Sequence, residues 1–252
     1  LLGNEVSVGN ALVDMYAKCG WFIKAKEVLN SLSFRDVSTW NSLITSYAQR
    51  NCAEDVLKCY KELQLDGVNP NAITYACGLK ACVAMLDINK GSDLHCETVE
   101  RGLFTDDVVI GSTLIDMYAK CGMLLDAQKV FDMLPVRDVV TWTSLMSGYE
   151  EHDRGEEALD CFKKMQLEGL SPNSFTYACG LKACGRIGAM DKGEEIHAEV
   201  KRKGLLTTNI IVGSAVVDMY AKCGSLSQAK NCFDILPNLN NITWNALITG
   251  YA

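Results

Sequence analysis

The octapeptide VDMYAKCG fills residues 13–20, returns as IDMYAKCG at 115–122, and appears again as VDMYAKCG at 217–224. The interval is 102 residues both times. Self-similarity at a fixed period marks a repeat architecture, in which each copy must meet the same neighbour in the same way. Shifting the chain by 102 aligns more than the octapeptide. TYACGLKAC recurs unchanged at 74–82 and 176–184, and Trp40, Trp142 and Trp244 fall in register, as do His95 and His197.

A unit of 102 residues is too long for one supersecondary element, and it divides into stretches of 31, 35 and 36 residues at 108–138, 139–173 and 174–209. Each stretch has the same grammar: a short apolar-periodic run, a Gly or polar break, then a second amphipathic run. Ala158, Cys161, Phe162 and Met165 show the spacing i, i+3, i+4, i+7, which is helical. Thr141 and Thr176 stand where an N-cap is expected, and Gly122 and Gly169 where a left-handed residue ends a helix. Each stretch therefore reads as a helix–turn–helix hairpin. One hairpin cannot bury its own apolar face but stacked hairpins can, so the fold expected is an all-α solenoid wound as a right-handed superhelix. Tyr16, Tyr118 and Tyr220, inside the repeated octapeptide, are expected to pack between helices.

The composition fits a globular chain: 252 residues, 48% hydrophobic and 22% charged. The apolar runs are too short to span a bilayer, so no membrane partner is expected. The twelve cysteines include one position seen three times (Cys19, Cys121, Cys223) and several seen twice, with no C-x-x-C among them. They read as small packing residues in a reducing compartment, with neither metal nor cofactor. The net charge of −7 weighs against nucleic-acid binding, since such proteins are usually basic. HCE (95–97) and HAE (197–199) match the H-x-E of zinc nucleoside deaminases, but no P-C-x-x-C follows, and both tripeptides fill one slot of the repeat. No catalytic residue is assigned, and His152 reads as a solvated turn residue.

Taken together, GNALVDMYAKCG, DVVTWTSLMSGY, EALDCFKKMQLEGLSPN and GLKACGRIGAMDKGEEIHAEV resemble the wording of pentatricopeptide repeat proteins of the plant PLS class, over essentially the whole chain. The resemblance implies a single array: the end of an L motif at 1–5, S at 6–36, P at 37–71, L at 72–107, S at 108–138, P at 139–173, L at 174–209, S at 210–240, and a truncated P at 241–252. It implies binding of single-stranded RNA along the groove of first helices, one base per motif. The family reads each base with the fifth and last residues of a motif, the fifth lying in the opening turn of the first helix. Here the pairs are Asn10/Asp36, Asn41/Asn71, Ser112/Asp138, Thr143/Asn173 and Ser214/Asn240, with Asn245 unpaired. The L motifs carry Ala76/Asp107 and Ala178/Asn209, and an alanine side chain neither donates nor accepts, so those motifs are expected to read weakly or not at all. At the second position, which sandwiches the base, Val109, Val140 and Ile211 fit, whereas Ser7 and Ser38 depart. The site implied is 5′-UYNGANAY-3′.

The resemblance further implies the specificity array of a C-to-U editing factor in a mitochondrion or chloroplast, with its transit peptide outside this chain. An editing cofactor protein would be a partner through the L motifs. The alternative is a protein-binding scaffold of the tetratricopeptide type. Its constant period of about 34 residues contrasts with the 31/35/36 alternation.

Overall fold

The computed structural model of the chain describes residues 2–251, and every regular element among them is helical. The helices group into two units, Leu1–Pro135 and Val136–Ala252. The first unit contains α1 (Leu2–Lys18), α2 (Phe22–Ser31), α3 (Val37–Gln49), α4 (Ala53–Leu65), α5 (Ala72–Met85), α6 (Ile88–Glu100), α7 (Leu103–Asp106), α8 (Val108–Lys120) and α9 (Leu124–Met133). The second contains α10 (Val139–Glu151), α11 (Gly155–Leu167), α12 (Ser174–Ile187), α13 (Met190–Arg202), α14 (Leu205–Thr208), α15 (Ile210–Lys222), α16 (Leu226–Ile235) and α17 (Asn241–Tyr251).

Within each unit the long helices pair as antiparallel hairpins, and the hairpins stack. In the first unit α1, α3, α5 and α8 touch in succession, and each of α2, α4 and α6 packs against the first helix of the next hairpin. The second unit repeats this with α10, α12, α15 and α17 in one row and α11, α13 and α16 in the other. This is the solenoid logic expected from the sequence. A second helix buries one stripe, as in α4 with Val56, Cys59, Tyr60 and Leu63. A first helix lies between two others and is buried on more sides: α5 buries Thr74, Tyr75, Cys77, Gly78, Leu79, Ala81 and Cys82.

The recurrent octapeptide ends a first helix and turns the chain. Gly122 and Gly224 both adopt φ of 80°, a backbone state that costs glycine little. Around Gly122 the turn closes with Met123 N donating to Tyr118 O at 2.8 Å and Gly122 N to Ala119 O at 2.9 Å. Tyr118 and Tyr220 are buried, as expected for packing residues, and each hydroxyl lies 2.9 Å from a histidine Nδ1, of His95 and His197 respectively. The histidines of the H-x-E tripeptides are thus half-buried packing residues, and burial pushes both below the ordinary histidine value.

Three features differ from the sequence reading. Thr141 and Thr176 are not N-caps: the caps are Asp138 and Asn173, three residues earlier, and the threonines sit at the third helical position. The one-turn helices α7 and α14, which close the 72–107 and 174–209 stretches, carry no periodicity that could announce them. Finally, α1 runs unbroken from Leu2, whereas a cap interrupts the chain at Asp107 and Asn209 in the later copies. Glu5 stands in that slot, and glutamate favours a helix interior over a cap. The expected motif remnant at 1–5 and truncated motif at 241–252 include Leu1 and Ala252, which lie outside the described residues.

Burial also sorts the thiols. Cys59 and Cys184 are buried, and desolvation pushes both up to about 12; Cys19 and Cys96 are exposed. The thiolate is the reactive form. Iodoacetamide on the native chain at pH 8 is therefore expected to modify Cys19 and Cys96 first and to spare Cys59 and Cys184 until denaturant is added. Peptide mass spectrometry reads this directly, and early labelling of Cys184 would contradict the packing. A chelator is expected to leave the thermal melt unchanged.

Candidate nucleic-acid interface

The residue that ends one stretch begins the next helix. Asp36, Asn71, Asp138, Asn173 and Asn240 each stand one residue before a first helix and accept from a backbone N–H in its first turn. The donors are Thr39 N at 2.8 Å, Thr74 N at 3.2 Å, Thr141 N at 2.8 Å, Thr176 N at 3.0 Å and Thr243 N at 2.8 Å. At Asn71, Asp138 and Asn173 the threonine hydroxyl accepts in return from the backbone N–H of the cap, completing a capping box. Burial works to raise the Asp36 carboxyl. Hydrogen bonds from the Thr39 side chain and backbone, Ser38 and Asn10 outweigh it and hold the group below its ordinary value.

The fifth residue of the preceding stretch joins this cap. It lies in the second turn of its helix rather than the first. Thr39 donates its hydroxyl to Asn10 Oδ1 at 2.5 Å, and Thr74 to Asn41 Oδ1 at 2.8 Å. Asn41 Nδ2 donates to Asn71 Oδ1 at 2.9 Å. In the second unit Thr143 Oγ1 lies 2.8 Å from Thr176 Oγ1, and Ser214 Oγ lies 2.9 Å from Thr243 Oγ1. Each hydroxyl of this second set also donates to its own helix, to Val139 O and Ile210 O. The structure thus brings together Asn10 with Asp36, Asn41 with Asn71, Thr143 with Asn173, and Ser214 with Asn240, each through one threonine. Ser112 belongs to the first unit, where it donates to Val109 O at 3.1 Å; Asp138 caps α10 in the second.

The cap fixes which atom of each last residue faces outward. An asparagine must turn its oxygen toward the N–H donors, which assigns the amide orientation and leaves Nδ2 on the other side. An aspartate in the same pose leaves a carboxylate oxygen there. Asn209 differs: its Oδ1 accepts from Ile211 N and Val212 N, and its Nδ2 donates to Ser174 Oγ at 3.0 Å. The fifth residue opposite is Ala178, which offers the cap no polar group, and the contact from that helix comes instead from Ser174, its first residue.

Val109, Val140 and Ile211, at the second position, are exposed apolar side chains on the first turn of their helices. Ile73, Phe175 and Ile242 occupy the same position and are exposed too; the sequence reading missed them, although the second-residue spacing that found the others applies equally. Ser7 and Ser38 are exposed and polar. In the second unit Ile211, Ser214, Asn240, Ile242 and Asn245 line one open cavity of about 490 Å³, and Lys182, Lys222 and Asp218 are charged members of the same lining. Its lining combines two second-position isoleucines with polar fifth- and last-position groups, which suits a flat, hydrogen-bonding ring. Lys222 is partly neutralised by Asp218 one turn earlier, at 2.7 Å, and Lys18 and Lys120 form the equivalent pairs with Asp14 and Asp116 in the first unit, at 2.7 and 2.9 Å.

Known proteins resemble this chain in sequence and in fold. The PPR repeat family profile matches residues 35–84 and 137–186, and the PPR repeat profile matches 10–37 and 112–139, together more than half of the chain. A chloroplastic pentatricopeptide repeat-containing protein of Arabidopsis thaliana is 38% identical over all 252 residues, which is 40% of its own length. A mitochondrial one from the same plant is 35% identical over 249 residues, 99% of this chain and 39% of the relative. The chain thus spans about two-fifths of these relatives. Among solved structures, the pentatricopeptide repeat protein PPR10 in complex with an 18-nt psaJ RNA element superposes with a TM-score of 0.77 at 20% identity, over 97% of this chain and 37% of that one. The crystal structure of PPR10 from maize gives 0.73. At this identity the likeness shows the fold, and with the repeat matches it leads to one conclusion: the chain belongs to the pentatricopeptide repeat family.

Proposed function

We propose that the chain is part of a sequence-specific single-stranded RNA-binding array of the PLS class, reading one base per motif, within an organellar C-to-U editing factor. The observation that carries the reading is the repeated cap. Because capping holds one oxygen inward, Asp offers an outward acceptor and Asn an outward donor. An acceptor suits the ring N–H of G or U, and a donor suits the bare ring nitrogen of A or C. The last residues therefore sort bases into the two classes that the family's code assigns them. The motif register 6–36, 37–71, 72–107, 108–138, 139–173, 174–209, 210–240 and 241–252 is supported by helix starts at Val37, Ala72, Val108, Val139, Ser174, Ile210 and Asn241. Second-position side chains, Phe175 and Ile73 included, supply stacking surface. In this reading the array itself binds rather than catalyses, and the organellar setting rests on the chloroplastic and mitochondrial names of its relatives.

A second reading is favoured by two observations, the charge of −7 and the alanines at the fifth position of both L motifs. These motifs add little to base recognition, which leaves them to an editing cofactor protein that raises RNA affinity.

The test is binding of a labelled octamer of the form 5′-UYNGANAY-3′, with the motifs taken from the N-terminus toward the RNA 3′ end, against a scrambled octamer. The matched RNA is expected to bind more tightly, each wrong base at a reading motif costing ~1–3 kcal/mol. Affinity should fall with added salt, as phosphate contacts require. Equal binding of both octamers, with and without the cofactor protein, would overturn the reading.

A further inference from the structure

Thr39, Thr74, Thr176 and Thr243 are fully buried, each at 0% exposure. A hydroxyl at such a site needs a reason, because valine has the same shape without the cost of burying a polar group. Helix capping is not the reason. Helices α8 and α15 are capped by Asp107 and Asn209 with Ile110 and Val212 at this third position, both fully buried. What separates the two groups is the fifth residue of the preceding motif. Where it is polar (Asn10, Asn41, Ser112, Thr143, Ser214), the third residue of the next motif is threonine; where it is Ala76 or Ala178, the third residue is isoleucine or valine. The structure supplies the link, since each of these four buried threonines hydrogen-bonds or closely approaches both the fifth and last side chains of the preceding motif.

We infer that the reader in each motif is a triad: the buried third-position threonine of the following motif is a positioning residue that holds the two reading side chains in one hydrogen-bonded arrangement and so sets base discrimination. This rests on the RNA-reading function proposed above. Thr74 shows how it works. Its hydroxyl proton goes to Asn41 Oδ1 at 2.8 Å, its oxygen accepts from Asn71 N at 3.2 Å, and Asn71 Oδ1 lies 3.1 Å away. With its oxygen engaged, Asn41 turns its amide to Asn71 Oδ1, and the rest of both polar groups is left for the base. Without the hydroxyl the backbone cap still orients Asn71, but Asn41 loses the donor that engages its oxygen, so its amide is free to turn and can meet a ring N–H or a bare ring nitrogen with either end.

The experiment uses Thr176→Val and Thr176→Ser in the whole chain, with four RNAs differing only at the base addressed by motif 139–173. The native chain is expected to prefer A by about 5- to 150-fold. Thr176→Val should compress the spread among the four bases to within about threefold of one another, leaving discrimination at other positions intact, while Thr176→Ser keeps the native ranking. A Thr176→Val protein with the native ranking and spread would overturn the inference. So would one that loses affinity equally for all four RNAs and keeps their ratios. If the native chain itself does not discriminate, RNA reading has failed instead. Val212 shows that the slot accepts valine. Should the melt nevertheless fall, the converse change decides: Ala178→Asn with Val212→Thr is expected to create discrimination at the base facing motif 174–209, and Ala178→Asn alone is not. Equal behaviour of those two proteins would also overturn the triad.

Discussion

Asn173→Asp is expected to move the preferred base of motif 139–173 from A to G. Asn173 Oδ1 accepts from Phe175 N at 2.9 Å and Thr176 N at 3.0 Å, and an aspartate oxygen takes over both bonds. The helix keeps its cap, as Asp138 and Asp36 show for α10 and α3. Only the outward atom changes, from an amide donor to a carboxylate acceptor. Against adenine that acceptor faces the lone pair of N1, which repels it; against guanine it faces N1–H, which it binds. A well-placed base contact discriminates by ~1–3 kcal/mol, so the A:G ratio should shift on the order of 5- to 150-fold toward G. Binding of four RNAs to both proteins measures it, and the thermal melt should stay within a degree or so of native because the cap survives. Identical rankings for the two proteins would show that Asn173 does not read RNA.

The largest expected loss of stability is at Arg186. Its guanidinium donates to Glu150 Oε1 at 2.7 Å and also pairs with Asp153. Glu150 is buried, with its side chain 7% exposed against 35% for Arg186. Arg186→Ala would leave a buried carboxylate without its partner and is expected to cost ~3 kcal/mol, the low end for breaking a buried pair because the arginine is partly solvated. Adding Glu150→Ala should recover most of that loss. The first unit carries this very solution: Ala48 and Ala84 stand 102 residues earlier and help line a small cavity of about 120 Å³. Urea denaturation of the single and double variants provides the test. A double variant no more stable than Arg186→Ala would mean that the charge on Glu150 is not what the arginine offsets.

How much of this was legible in the sequence depends on the length of the signal. The 102-residue period, the hairpins and the glycine turns were readable because each is written several times and rests on side-chain spacing or on a backbone state that glycine adopts most easily. The caps were legible only to within three residues. In D-V-V-T at 138–141 either end is a good capping residue, and only the backbone of Asp138, extended at φ −111° and ψ −179°, decides between them. Leu86 is a second case. It adopts φ of 53° in the slot that Gly188 fills in the next copy, and nothing in a leucine announces a left-handed turn. The fifth and last positions were located through the family resemblance rather than through physics, since an Asn or Asp beside a helix start looks like ordinary capping. Their link through a buried threonine joins residues about 30 apart, and no local pattern reports it.

The shared cap also means that the unit of recognition and the unit of folding are out of phase. Cutting the chain after Asn173 separates a complete reading pair from the helix that one of its members starts and from the threonine that orients it. A transplanted segment ending there would arrive with its chemistry but would borrow its geometry from whatever sequence came next. Transplants should therefore run on through the first turn of the following helix, past Thr176. A duplication of a whole 102-residue block faces no such restriction, because wherever its ends fall each cap meets the same successor as before. A long array can lengthen by that route without a single broken joint.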